Sequence, residues 1–206
     1  MIGKTDITMP ARSTAVKATD EPKRSPRERL LEAATELFYA DGVQSVGIDR
    51  VIERAGVAKA SLYSTFGSKE ELVRAYLEER HSTILRWRRA AVESVDDPVE
   101  KILAVFDSQA RDFRRPDFNG CAFAGAMAES APGGRVDEAS KSYREDIRAL
   151  FEELAVGAGA KDPDLLARQL QMLYDGAGSA AKLDRDGATV ATQVRTAATA
   201  LVAAAL

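Results

Sequence analysis

The sequence predicts an all-α fold in two parts, a three-helix domain carrying a helix-turn-helix and a larger helical domain behind it. Alanine fills 36 of the 206 positions and is the strongest intrinsic helix former, while proline occurs only 7 times. Apolar residues recur at three- and four-residue spacing in most segments after residue 25, and no run alternates apolar with polar residues as a half-buried strand would.

Residues 1–24 mix Lys, Arg, Thr, Ser and Pro without apolar periodicity and are expected to form a flexible basic arm. The first helix is predicted over 26–40. Ser25 supplies an N-cap, Pro26 the first helical position and Glu28 the third residue of a capping box, while Leu30, Ala33, Ala34, Leu37 and Phe38 form the apolar stripe that ends at Asp41-Gly42. A short helix over 48–54, the turn 55–58 and a second short helix over 59–66 describe a helix-turn-helix. Ser68 caps a long helix over 69–93 whose apolar side is read as Leu72, Val73, Tyr76, Leu77, Ile84 and Trp87. Asp97-Pro98 opens the next helix, and Pro116 ends it. The short apolar segment 121–129 follows, then a helix carrying Val136, Tyr143, Ile147, Leu150 and Phe151 that stops at Gly157 or Gly159. Two final helices are expected over 163–182 and 188–205.

Composition removes several kinds of chemistry. With one cysteine (Cys121) and one histidine (His81), an intrachain disulfide is impossible and a zinc site lacks most of its usual ligands. Carboxylates such as Asp107, Asp112 and Glu129 have no Glu-x-x-His pair, triad or phosphate loop beside them, so no catalytic, metal or cofactor site is expected and the chain is read as a non-enzyme. Cys121 lies in an apolar stretch and is read as a small buried hydrophobe, and His81 as a surface or inter-domain residue. The apolar run 197–206 is too short to span a bilayer and no export signal stands out, so a cytoplasmic protein without a membrane partner is expected.

One stretch carries a specific signature. Gly42 follows the first helix, Val51 and Ile52 form a branched apolar pair, and Ala55-Gly56-Val57 makes the turn. Leu62, Tyr63 and Phe66 then mark the third helix, and Ser68-Lys69-Glu70 opens the fourth. This pattern resembles the DNA-binding domain of TetR-family transcriptional regulators. The resemblance implies that the third helix enters the major groove, that Tyr63 and Lys69 contact phosphate, and that Lys59, Ala60, Ser61, Ser64 and Thr65 face the DNA. Two positions depart from the family pattern: Gly47 and Ala58 stand where Ser or Thr caps are common, which removes hydroxyls that would touch phosphate. Ser64-Thr65 also replaces the aromatic or histidine residues frequent at the centre of that helix, so the operator sequence is this chain's own.

A formal charge of −3 argues against DNA only as an average. Residues 25–70 sum to −1, yet 57–68 contain no acid and include Lys59, with Lys69 next, which predicts specific binding through few phosphates.

By the same resemblance, residues 25–70 form the DNA-binding domain and 71–206 a ligand-binding and dimerisation domain. Large side chains of the middle helices, Trp87, Phe106, Phe113, Phe123, Met127, Tyr143 and Phe151, are the candidate pocket for a small apolar or amphipathic effector. The last two helices are rich in Ala and Gly, which lets backbones approach, and Gly178, Ala181, Ala198 and Leu201 are the candidate dimer interface. The expected function is that of a homodimeric repressor, released from a pseudo-palindromic double-stranded operator by the effector. The alternatives are an activator, a protein-interaction regulator whose middle helices are filled by side chains, and a helical-bundle enzyme.

Overall fold

The computed structural model describes residues 24–206, so the expected arm lies, but for Arg24, outside the described residues. These residues form nine α-helices and no strand: α1 (Pro26–Asp41), α2 (Ile48–Ala55), α3 (Lys59–Phe66), α4 (Lys69–Glu93), α5 (Pro98–Phe113), α6 (Ala122–Ala128), α7 (Arg135–Gly157), α8 (Pro163–Asp184) and α9 (Gly187–Ala205). Caps fix most of the starts. Ser25 Oγ accepts from Glu28 N at 3.2 Å while Glu28 Oε2 accepts from Ser25 N at 2.7 Å, completing the capping box of α1. Ser68, Asp97, Asp162 and Asp186 accept from first-turn N–H groups of α4, α5, α8 and α9. Helices α2 and α3 begin at Gly47 and Ala58 with no side-chain cap, as their sequence requires.

The first three helices wrap around the start of α4. Leu30, Ala34 and Phe38 of α1, Val51 of α2, Leu62 of α3 and Leu72 of α4 are all buried, and Ile52 and Phe66 are half-buried beside them. Gly56 adopts φ 61° and ψ 43°, a left-handed conformation that a side chain would strain, and its carbonyl accepts from Arg29 Nη1 at 3.1 Å, which ties the turn to α1. The second half of α4 packs with α5 and α7 and reaches α8 through Arg88, and α9 closes the bundle against α5 and α8. One apolar cluster runs through both regions, continuous along α4.

Two expectations need correction. Trp87 was expected on the apolar side of α4, yet it is 39% exposed and Arg88 takes the inward position at 2%. A charge is tolerated there because its partners are buried with it: Arg88 Nε donates to Tyr174 Oη and Nη1 to Ser108 Oγ, both at 3.0 Å, and Nη2 pairs with Asp112. Burial works against the guanidinium's charge, but Tyr174 and the Asp112 carboxylate hold its pKa above the ordinary value.

The second correction concerns α8 and α9. Gly178, Ala181 and Ala198 are buried inside the protomer and Leu201 is half-buried, so the small residues serve close packing of α8 and α9 with each other and with α5. Gly178, Ala181 and Ala198 thus face their own bundle, while Leu201 keeps part of its surface open. Ala198→Leu should therefore overpack the protomer itself, lowering its stability by about 1–3 kcal/mol in urea denaturation; a shift of the monomer–dimer balance at unchanged stability would contradict this placement.

Candidate nucleic-acid interface

The outer face of α3 is built from short side chains. Leu62 points inward, while Lys59, Ala60, Tyr63, Ser64 and Thr65 are exposed and Ser61 and Lys69 are half-buried. Ser64 Oγ donates to the Ser61 carbonyl at 3.2 Å, which leaves its lone pairs facing outward. Lys59 Nζ meets Asp49 Oδ1 at 2.9 Å, and this hydrogen bond and attraction raise the lysine's pKa. Both side chains are well exposed, so the pair is weak and a phosphate oxygen can compete with Asp49 for the ammonium.

The distribution of acids explains how a domain of net −1 presents such a strip. Arg50 pairs with Asp41 and Arg54 with Glu36, each at 2.7 Å, so acids of α1 are spent on arginines of α2. No acid lies on α3. The uncapped first-turn N–H groups of α2 and α3 add to it: a helix N-terminus carries partial positive charge, and donors that meet no side chain can meet an anion. Sequence reasoning treated the missing caps as lost phosphate contacts and overlooked the donors they leave open. Arg27 was overlooked as well; its guanidinium lies 5.7 Å from the centre of the Phe66 ring, at the far end of α3.

The face is held to the rest of the chain through α1. Tyr39 Oη donates to the Gly120 carbonyl at 3.1 Å and accepts from Asn119 N at 2.9 Å, and Asn119 Nδ2 donates to the carbonyls of Tyr39 and Ala40 at 2.8 and 3.1 Å. At the end of α6, the Glu129 carboxylate accepts from Gln44 N at 2.7 Å, and its backbone carbonyl accepts from Gln44 Nε2 at 3.0 Å. Gly42 permits that approach, since a Cβ there would stand 2.4 Å from Glu129 Oε1.

Beside this joint lies a cavity of about 60 Å³ bounded by α4, α5, α7 and α8 and the segment 115–122. Of the seven candidate pocket residues, Trp87, Phe113 and Tyr143 line it. Phe106 and Phe151 are core residues whose rings lie 5.4 Å apart, Phe123 stacks on Tyr143 at 3.9 Å without lining the cavity, and Met127 is 42% exposed on α6. The lining is more polar than the sequence implied. Arg80, Arg88, Gln109, Asp112 and Asp175 border it, all from positions that sequence analysis assigned to no role. His81 lies 2.9 Å from Asp146 with its ring edge-on to Tyr143, and Cys121 is buried enough that its thiol pKa is pushed up, so it is not poised as a thiolate. No described helix is long and apolar enough to cross a membrane.

Comparison with known proteins bears on both halves. Residues 30–76 match the family model described as bacterial regulatory proteins, tetR family. The solved structure of SCO4454, a TetR-family transcriptional regulator from Streptomyces coelicolor, superposes with a TM-score of 0.82 and is 34% identical, covering 87% of this chain and 95% of that one. A CifR cysteine mutant, solved with a 26-bp double-strand operator DNA, shares the fold at a TM-score of 0.73 and 22% identity over 86% of this chain and 99% of that one. Among curated proteins, the regulator TtgR of Pseudomonas putida is 34% identical over 110 residues, 50% of this chain; the match spans only 52% of that relative. SCO4454 is matched along nearly its whole length at a level of identity that carries family membership, and the family model covers the helix-turn-helix: the chain belongs to the TetR family of bacterial transcriptional regulators.

Proposed function

We propose that the protein is a homodimeric repressor that binds a pseudo-palindromic operator through α3 and leaves it when a small molecule occupies the cavity. In this reading residues 25–70 read DNA and 71–206 sense and dimerise. The observation that carries it is the outer face of α3, which is free of acids, lined by short side chains and flanked by two uncapped helix N-termini. Lys59, Tyr63 and Lys69 take phosphates, while Ala60, Ser61, Ser64 and Thr65 lie against base edges, where hydroxyls donate or accept and a methyl packs on thymine.

A dimer is needed to present α3 twice, at the roughly 34–36 Å spacing of successive major grooves. The candidate interface moves to the outward faces of the same two helices. Leu165, Met172 and Leu183 are 50%, 65% and 79% exposed along one side of α8, with Gly176 and Ser179 between them, and α9 presents Thr192, Thr196 and Ala200 outward. Large apolar side chains repeated on one exposed helix face favour burial against another surface.

Release follows as a population shift. The segment 119–122 borders the cavity on one side and bonds to the end of α1 on the other, so an occupant that displaces it disfavours the DNA-competent position of α1–α3. One observation favours a second reading, a regulator controlled by protein contacts: about 60 Å³ is far below the roughly 300–1,000 Å³ of ordinary ligand pockets. Against it, Gln109 Oε1 is buried without a partner, a cost that a bound donor would remove.

Lys69→Ala should weaken binding to every duplex and reduce the slope of log affinity against log salt by about one unit, whereas Ser64→Ala should change the ranking of operators selected from random DNA; an unchanged slope, or uniform weakening by the serine change, removes the corresponding role. For the dimer, Met172→Glu with Leu183→Glu should give monomers in sedimentation with helicity intact, and a persistent dimer would place the interface elsewhere.

A further inference from the structure

The cavity's charges are paired in all but one case. Arg88 is matched by Asp112, and Arg115 by Asp117 through both carboxylate oxygens at 3.0 and 2.8 Å. Asp175 is matched by Arg144 at 2.9 Å. Among the described residues Arg80 makes no ion pair, and the nearby Asp117 is bonded to Arg115. Its guanidinium lies over the Tyr39 ring, 4.0 Å from the centroid, and its Nε is enclosed with no acceptor. Gln109, which lines the same cavity, is 6% exposed and held by Nε2, which donates to the Tyr174 carbonyl at 2.8 Å; this fixes the amide and leaves Oε1 buried with no donor. Trp87, Phe113, Phe118 and Tyr143 supply the aromatic walls.

A buried donor on a permanent positive charge, a buried acceptor and flat apolar walls specify what is absent from each. We propose that the effector is a planar aromatic carboxylate bearing a hydroxyl or amine, with its carboxylate on Arg80, its ring between the aromatic walls and its donor on Gln109 Oε1. A guanidinium matches a planar carboxylate through two parallel N–H donors, which a neutral or tetrahedral group does not reproduce. The inference rests on the reading of this cavity as the effector site and names the ligand's chemistry. A cavity of about 60 Å³ is smaller than the roughly 150 Å³ that holds a benzene ring, so occupancy widens it. Arg80 is the element proposed to turn, because among the described residues it makes no hydrogen bond or ion pair and rests on the Tyr39 ring. Leaving that ring for a carboxylate removes a contact to α1 as the ligand gains one.

Trp87 is the only tryptophan of the chain and lines the cavity, so its emission reports occupancy without any DNA. The full chain would be titrated near neutral pH with 4-hydroxybenzoate and 6-hydroxy-2-naphthoate and with their methyl esters, following Trp87 emission and, independently, heat of binding. The acids should bind saturably and the esters at least about tenfold more weakly. Arg80→Gln should weaken the acids by about 10- to 100-fold and leave the esters unchanged, Arg80→Lys should recover part of the loss, and Gln109→Leu should abolish the preference for hydroxylated over unsubstituted acids. Equal binding of acids and esters, or acids indifferent to Arg80→Gln, overturns the carboxylate assignment while the cavity stands as an effector site. Silence toward both acids and esters in both measurements overturns the effector-site reading and the inference with it.

Discussion

Arg88 is the residue around which the C-terminal bundle is organised. A guanidinium 2% exposed must find its hydrogen bonds inside the protein, and it finds them on α5, through Ser108 and Asp112, and on α8, through Tyr174. Tyr174 Oη then lies 3.2 Å from Tyr143 Oη, which brings in α7. Four helices are thereby held in one register by directional bonds, where apolar contact alone would tolerate sliding. Breaking a buried pair of this kind costs about 3–5 kcal/mol, because the remaining charge is left without its partner. The cavity lies against the same cluster, so its polar character is a consequence of how the bundle is locked.

A second constraint operates in the N-terminal half, where charge is arranged by pairing. The arginines of α2 are matched by acids of α1, and these pairs set the α1–α2 contact at the surface as Val51 and Leu30 do in the core. What remains unmatched on the outer side is α3, with no acid of its own and with N–H groups that Ala58 cannot cap. An alanine cap costs helix stability, about 1 kcal/mol on average. An anion at that terminus would offset the loss only while bound, so if α3 meets phosphate as proposed, it is better satisfied on DNA than off it.

The fold was legible because its signals are local. Ser25-Pro26-x-Glu28, Gly56 and Asp97-Pro98 each settle the conformation of a few residues, and helix ends follow from them within about two positions. The outer face of α3 was legible for the same reason: one inward residue, Leu62, fixes which side chains point out. The interior was not. Hydrophobicity places Trp87 inside and Arg88 outside, and only the partners of Arg88, contributed from 20 to 86 positions away, reverse that order. Small residues in α8 and α9 correctly signalled close helix contact, but composition cannot say whether the neighbour is the same chain or another. An aromatic stripe likewise reads the same whether it fills space, as Phe106 and Phe151 do, or borders it, as Phe113 does.

How the two halves communicate follows from the end of α1. The last carbonyls of a helix lack intrahelical donors, and α1 has no basic residue in its last turn. Asn119 supplies the missing donor from outside, through Nδ2 to the carbonyls of Tyr39 and Ala40, while Tyr39 Oη closes the loop back onto Gly120. The segment that borders the cavity is therefore also the cap of the helix that carries the DNA-binding half. These hydrogen bonds, at 2.8–3.1 Å, are directional and weaken steeply when misaligned. The second contact, Glu129 on Gln44, lies at the far end of α6, so a displacement that begins near Cys121 reaches the loop before α2 along a single short helix. Each joint binds backbone of the α1–α2 region, and neither touches α3. In the repressor reading proposed above, an occupant would therefore act on where α3 is held and not on its outward side chains, so effector chemistry and operator sequence would vary independently on one scaffold.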